Sequence, residues 1–115
     1  MDMFVIEGGK PLNGRVRVGG AKNAALPIMA ASIMANGPVT LRDVPDLVDV
    51  RTLGDLLETL GVCSERAVDG SLKLQVVDDS SVVADYELVR RMRASICVLG
   101  PLLARRRRAI VSLPG

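Results

Sequence analysis

The chain has 115 residues, 49% of them hydrophobic, and a mean hydropathy of +0.31, which is enough apolar material for one core and excludes a disordered tail. Fifteen basic residues against thirteen acidic ones leave a formal charge of +2, too little to argue for nucleic-acid binding, and the absence of histidine excludes ordinary imidazole acid–base chemistry. Phe4 and Tyr86 are the only aromatic residues, so the core must be built from Leu, Val, Ile, Ala and Met, with helices lying close against a sheet.

In chain order, Phe4–Ile6 and Arg15–Val18 read as two strands, the second alternating apolar and charged residues, with Gly8, Gly9 and Pro11 turning the chain between them. Asn23–Ala35 reads as a buried helix with Pro27 near its start, stopped by Asn36-Gly37-Pro38. Val39–Val44 is a short strand. A second helix follows from about Asp49 to Leu60, with Leu53, Leu56, Leu57 and Leu60 on one face and Gly61 as its stop. Val62–Val68 and Leu72–Val77 flank Asp69-Gly70-Ser71, a hairpin signal. Tyr86–Arg105 reads as a third helix kinked at Gly100-Pro101, and Ala109–Leu113 as a strand before a turn at Pro114-Gly115. Helix, strand, helix, strand, strand over Asn23–Val77 gives a mixed α/β unit.

No charged start and apolar run opens the chain, so no secretory signal is expected. The most apolar stretch, Ile96–Ala104, is too short for a membrane span and contains Gly100 and Pro101. Cys63 and Cys97 lie in unrelated apolar contexts without a Cys-x-x-Cys or metal-ligand pattern; both read as reduced, mostly buried thiols of a cytoplasmic protein. Arg105–Arg108 reads as a helix end whose cations complement the dipole, with a phosphate patch or a nucleic-acid contact as the less favoured readings.

Two stretches carry chemistry. In Gly19-Gly20-Ala21-Lys22-Asn23, a strand enters a glycine turn and a helix starts at once, so free backbone N–H groups, the Lys22 ammonium and the Asn23 amide suit a phosphate or carboxylate. The spacing is not that of a Walker loop, and a glycine turn with an exposed lysine would look the same. In Arg90-Arg91-Met92-Arg93, guanidinium groups precede an apolar stretch and suit a carboxylate or diphosphate; at helical spacing Arg90 and Arg93 could equally share a solvated face.

Taken with the rest of the chain, these stretches resemble the enolpyruvyl transferase family. The resemblance runs through Gly-Ala-Lys-Asn-Ala-Ala-Leu-Pro at Gly20–Pro27, Val-Pro-Asp-Leu-x-Asp-Val at Val44–Val50, and Met-Arg-Ala-Ser-Ile at Met92–Ile96. Leu-Gly-Pro-Leu-x-Ala-Arg at Leu99–Arg105 and Ser-Leu-Pro-Gly at Ser112–Gly115 complete it. The motifs are similar to those of the UDP-N-acetylglucosamine branch rather than the 3-phosphoshikimate branch.

The resemblance implies part of an inside-out α/β barrel of two domains, each built from three repeated helix-strand-helix-strand-strand units. It places residues 1–20 as strands of the opposite domain, a hinge near Gly20 and Ala21, and residues 21–115 as an incomplete first domain that stops before the catalytic loop. By the same resemblance Lys22 and Asn23 contact phosphoenolpyruvate and Arg93 contacts UDP-N-acetylglucosamine. No cofactor, metal, nucleic acid or membrane is implied. The implied reaction transfers the enolpyruvyl group to the sugar's 3-hydroxyl with phosphate release, the first committed step of peptidoglycan synthesis. Its proton donor, a cysteine or aspartate, is expected just beyond Gly115, and neither Cys63 nor Cys97 occupies that motif, so the chain is expected to be an N-terminal fragment, inactive without the remainder of the enzyme. At Cys97 the family often carries an aromatic or apolar residue, so the wall facing the sugar nucleotide is expected to differ slightly. The competing expectation is an autonomous small α/β module that binds an anion or a partner without catalysis.

Overall fold

The computed structural model describes residues 2–113. Helix α1, Lys22–Ala31, buries Ala25, Leu26, Met29 and Ala30, adjacent pairs one turn apart that make an apolar stripe, and passes into a single 3-10 turn at Ser32–Met34. The Ser32 hydroxyl donates to the Met29 carbonyl at 2.6 Å, satisfying one of the acceptors left at the helix end. Strand β1 is Val39–Leu41, and helix α2, Val48–Thr59, buries Val50, Leu53, Gly54, Leu56 and Leu57, with Leu60 buried just beyond its end.

Strands β2, Val62–Arg66, and β3, Leu72–Val76, form the expected hairpin, and the turn holds Gly70 at φ +83°, a value that favours glycine. The sheet has the order β1-β3-β2 with both pairings antiparallel: Val39 stands opposite Leu74, and Val62 opposite Val76. In β3, Leu72 and Leu74 are buried while Lys73 and Gln75 are exposed, so one face of the sheet is covered by helices and the other faces water. Helix α2 lies on β2, α1 lies on α2, and the turn at Ser32–Met34 reaches β3. Gly54 allows the close approach of α2, because a Cβ there would sit 3.3 Å from the Ser64 hydroxyl.

The region expected to be one long helix is broken into three pieces. Helix α3 is only Tyr86–Val89, capped by the Asp85 carboxylate accepting from the Leu88 N–H at 3.1 Å; a 3-10 segment covers Arg93–Val98; and helix α4 is Leu99–Arg106. The break falls at Met92, whose backbone is extended, and not at Gly100-Pro101. Within the 3-10 segment the buried Ser95 and Val98 stand three residues apart, a spacing that a 3-10 turn keeps on one face. Pro101 is the third residue of α4, where its missing N–H has no intrahelical partner to lose.

Three further expectations are corrected. Phe4–Ile6 and Arg15–Val18 are not strands here: residues 2–21 have no regular structure, are exposed throughout, and find no partner strand among the described residues. They extend the molecule to a radius of gyration of 17.1 Å, against about 13 Å for a compact chain of this size. Ala109–Leu113 is not a strand but a single parallel bridge of Ile110 to Val83, with the Ala84 N–H donating to the Ile110 carbonyl at 2.9 Å. Cys63 is exposed on the outer face of β2, while Cys97 is half-buried; both are free. The turn expected at Pro114-Gly115 lies outside the described residues. Among the described residues, no helix is long and apolar enough to cross a membrane.

Candidate functional site

Lys22 and Asn23 are the first two residues of α1. Ala21 precedes them in extended conformation with no side-chain cap, and the first intrahelical bonds are those of Ala24 and Ala25 to the Ala21 carbonyl, at 3.2 and 3.0 Å. The N–H groups of Lys22 and Asn23 therefore have no helical acceptor, and the positive end of the helix dipole lies at this end of α1. Such an arrangement attracts an anion.

The glycine turn is required by a close approach. A Cβ on Gly20 would stand 1.8 Å from the Asp43 carbonyl oxygen, so only glycine lets the entry to α1 pass over the loop after β1. Asp43 itself has φ +55°, and its side chain is 3.4 Å from Arg17 across solvent.

The Lys22 Nζ donates to Asp49 Oδ2 at 2.6 Å, joining the start of α1 to the first turn of α2. The segment carrying Asp49 is tied down elsewhere. Arg66 Nη1 donates to the Val44 carbonyl at 2.9 Å and to the Gly70 carbonyl at 2.8 Å, and Arg66 Nη2 donates to the Pro45 carbonyl at 3.5 Å. Arg51 forks onto both Asp46 oxygens at 2.8 Å and holds that carboxyl below its ordinary pKa range. Sequence reasoning singled out Lys22 and Asn23 as candidates but not Asp49, the lysine's partner; the one signal for it was an acid in the first turn of α2, inside the Val44–Val50 motif.

Arg93 opens the 3-10 segment that packs against α1 and is exposed. Among the described residues it has no side-chain hydrogen bond or ion pair, and nothing joins it directly to Lys22 or Asn23. Arg90 does not share a helical face with it, because the extended Met92 intervenes; Arg90 pairs with Glu87 at 2.7 Å and lies 6.0 Å from the Tyr86 ring centre. Of the arginine run, Arg106 turns inward and donates to the carbonyls of Leu60, Ser81 and Asp78, while Arg107 ends α4 in the left-handed conformation. The four arginines thus do not form one continuous patch.

A cleft of about 680 Å³ runs between Gly20, Ala21, Ala24 and Ile28 on one wall and Thr40–Val44 on the other. None of Lys22, Asn23 and Arg93 lines it.

A UDP-N-acetylglucosamine 1-carboxyvinyltransferase of Campylobacter hominis is 50% identical to this chain over 115 residues, covering 100% of the chain and 28% of that protein. One from Anaeromyxobacter sp. strain K is 56% identical over 118 residues with the same shares, and one from Desulfatibacillum aliphaticivorans is 53% identical over 116 residues, covering 100% and 27%. The chain thus spans little more than a quarter of the length of these relatives. The crystal structure of the enolpyruvyl transferase NikO from Streptomyces tendae superposes with a TM-score of 0.71 at 27% identity, over 85% of this chain and 23% of that one, which makes the fold part of an enolpyruvyl transferase's α/β architecture. Residues 6–115 match the family model described as EPSP synthase (3-phosphoshikimate 1-carboxyvinyltransferase), and the chain belongs to that family of enolpyruvyl transferases.

Proposed function

We propose that the full-length protein carrying this chain transfers the enolpyruvyl group of phosphoenolpyruvate to the 3-hydroxyl of UDP-N-acetylglucosamine, releasing phosphate, in the cytoplasmic first step of peptidoglycan synthesis. The observation that carries the reading is the 50–56% identity to UDP-N-acetylglucosamine 1-carboxyvinyltransferases across the whole chain. The anion-ready start of α1 supports it physically. Addition and elimination at phosphoenolpyruvate need cations that gather two anionic substrates and an acid that protonates C3. Lys22 and Asn23 take the phosphoenolpyruvate and Arg93 the sugar nucleotide. Neither the exposed Cys63 nor the half-buried Cys97 is the acid; that role belongs to residues following the Ser112–Gly115 motif.

Residues 1–20 pack on the remainder of the enzyme in this reading. What supports it is that Phe4, Ile6, Leu12 and Val16 are between 86% and 98% exposed here, apolar surface that water disfavours. The 115-residue chain is correspondingly inactive alone, since it holds the cations of one wall without the acid or the opposing domain.

The test is phosphate release by the full-length protein from phosphoenolpyruvate, with UDP-N-acetylglucosamine or with 3-phosphoshikimate as acceptor. Turnover with the sugar nucleotide only is expected. Turnover with 3-phosphoshikimate only would move the protein to the other branch of the family.

A further inference from the structure

The Lys22–Asp49 ion pair has no adequate explanation in stability. The two side chains are 40% and 37% exposed, and a pair so open to water contributes about 0–1 kcal/mol. It nevertheless has a short contact, 2.6 Å, between residues 27 apart in sequence, and its lysine is the first residue of α1, whose own N–H and that of Asn23 have no helical acceptor.

The two partners differ in how firmly they are held. Lys22 carries its charge on a flexible four-carbon stem. Asp49 has a short side chain on the first turn of α2, next to Val50, which is 3% exposed, and the loop leading to it is held by Arg66 on the Val44 and Pro45 carbonyls and by Arg51 on Asp46. The carboxylate is therefore the fixed point and the ammonium the adjustable one. An ammonium has three donors. One is directed at Asp49, which leaves two for an incoming anion without breaking the pair.

We propose that Asp49 is a positioning residue: it holds the Lys22 ammonium at the start of α1 so that its remaining donors, with the free N–H groups of Lys22 and Asn23, meet the phosphate or carboxylate of phosphoenolpyruvate. The inference rests on the reading that Lys22 serves that substrate. Lowering the freedom of a long side chain before binding raises the productive fraction of encounters, and the loss on removing Asp49 passes entirely through Lys22.

A double-mutant cycle in the full-length protein tests this, with phosphoenolpyruvate and UDP-N-acetylglucosamine varied separately. Asp49→Asn keeps the shape and removes the charge; kcat/KM for phosphoenolpyruvate is expected to fall about tenfold in the wild-type background and less than about twofold in the Lys22→Ala background. The KM for UDP-N-acetylglucosamine is expected to stay unchanged in Asp49→Asn, an outcome a general loss of structure would not produce. Equal losses in both backgrounds, or no loss in the wild-type background, overturn the inference while leaving the substrate reading intact. If Lys22→Ala itself leaves kcat/KM for phosphoenolpyruvate unchanged, the substrate reading and the inference fall together. Should Asp49→Asn not fold, as judged by its melting curve, Asp49→Glu run through the same cycle decides: a loss confined to the background that retains Lys22 supports the role, and a loss common to both refutes it.

Discussion

Replacing Gly20 by alanine adds one methyl group, and the geometry fixes what that methyl meets. Its carbon would lie 1.8 Å from the carbonyl oxygen and 2.9 Å from the carbonyl carbon of Asp43, both backbone atoms that cannot swing aside. Real contacts of this kind do not fall below 3.0 Å, so the entry to α1 and the loop after β1 must separate by more than 1 Å. Such overpacking costs about 1–3 kcal/mol of stability. Because Lys22 follows two residues later, a displacement of that size at a positioned cation is expected to lower kcat/KM for phosphoenolpyruvate by about a hundredfold. Gly19 supplies the control, since a Cβ there meets nothing within 4 Å. Steady-state kinetics and thermal melting of Gly19→Ala and Gly20→Ala in the full-length protein make the comparison. The reasoning is refuted if the two variants melt together and both turn over like wild type.

Arg106→Met keeps the aliphatic stem but leaves the carbonyls of Leu60 and Ser81 without their donor, which should cost about 2–4 kcal/mol in urea unfolding and leave substrate KM values unchanged; wild-type stability would show that water replaces the guanidinium without loss. The Asp69 carboxyl accepts from the Ser71 hydroxyl at 2.6 Å and from the Ser71 N–H at 2.9 Å, and these bonds hold its pKa below the ordinary value. Its contribution to the fold is therefore present above the unfolded carboxyl pKa of about 3.9 and lost as the pH falls through the lower folded value. Carbon-detected NMR titration should place Asp69 below its ordinary midpoint and Ser71→Ala should move it back up; an unchanged midpoint in the variant would remove the hydroxyl as the cause.

Much of the fold was legible because it is written in local periodicity. The leucines at 53, 56, 57 and 60 announce α2, the Asp69-Gly70 pair announces the β2–β3 hairpin, and the helix-strand-helix-strand-strand order stands as α1-β1-α2-β2-β3. Where the reading failed, long-range context decided. Phe4–Ile6 and Arg15–Val18 have strand-like patterns, but a strand exists only against a partner, and the described residues offer them none. Tyr86–Arg105 has helical composition throughout, yet the chain leaves the helix after Val89, turns extended at Met92 and buries Val89, Met92, Ser95 and Val98, so tertiary packing overrides propensity there. Cys63 looked apolar in one dimension and is exposed because the alternation of β2 directs it outward. At the site, the glycine turn and Lys22 were readable from local sequence. Asp49 was not, because an ion pair between residues 27 apart leaves no periodic trace.

The loop from Arg42 to Leu47, with the first turn of α2 that follows it, ties these observations together. The loop receives Gly20 against the Asp43 carbonyl, leads into Asp49, which pairs with Lys22, and is itself held by Arg66 from the end of β2 and by Arg51 from α2. In the proposed arrangement the Lys22 ammonium takes its place from Asp49 on the first turn of α2, and the segment leading to Asp49 is held by Arg66 of β2 and by Arg51 of α2. Helix α1 alone would fix only the direction of its dipole and its free N–H groups. On that proposal Gly20–Pro27 and Val44–Val50, far apart in the sequence, act together through the Lys22–Asp49 pair, and Arg66 of β2 supports the segment that carries Asp49.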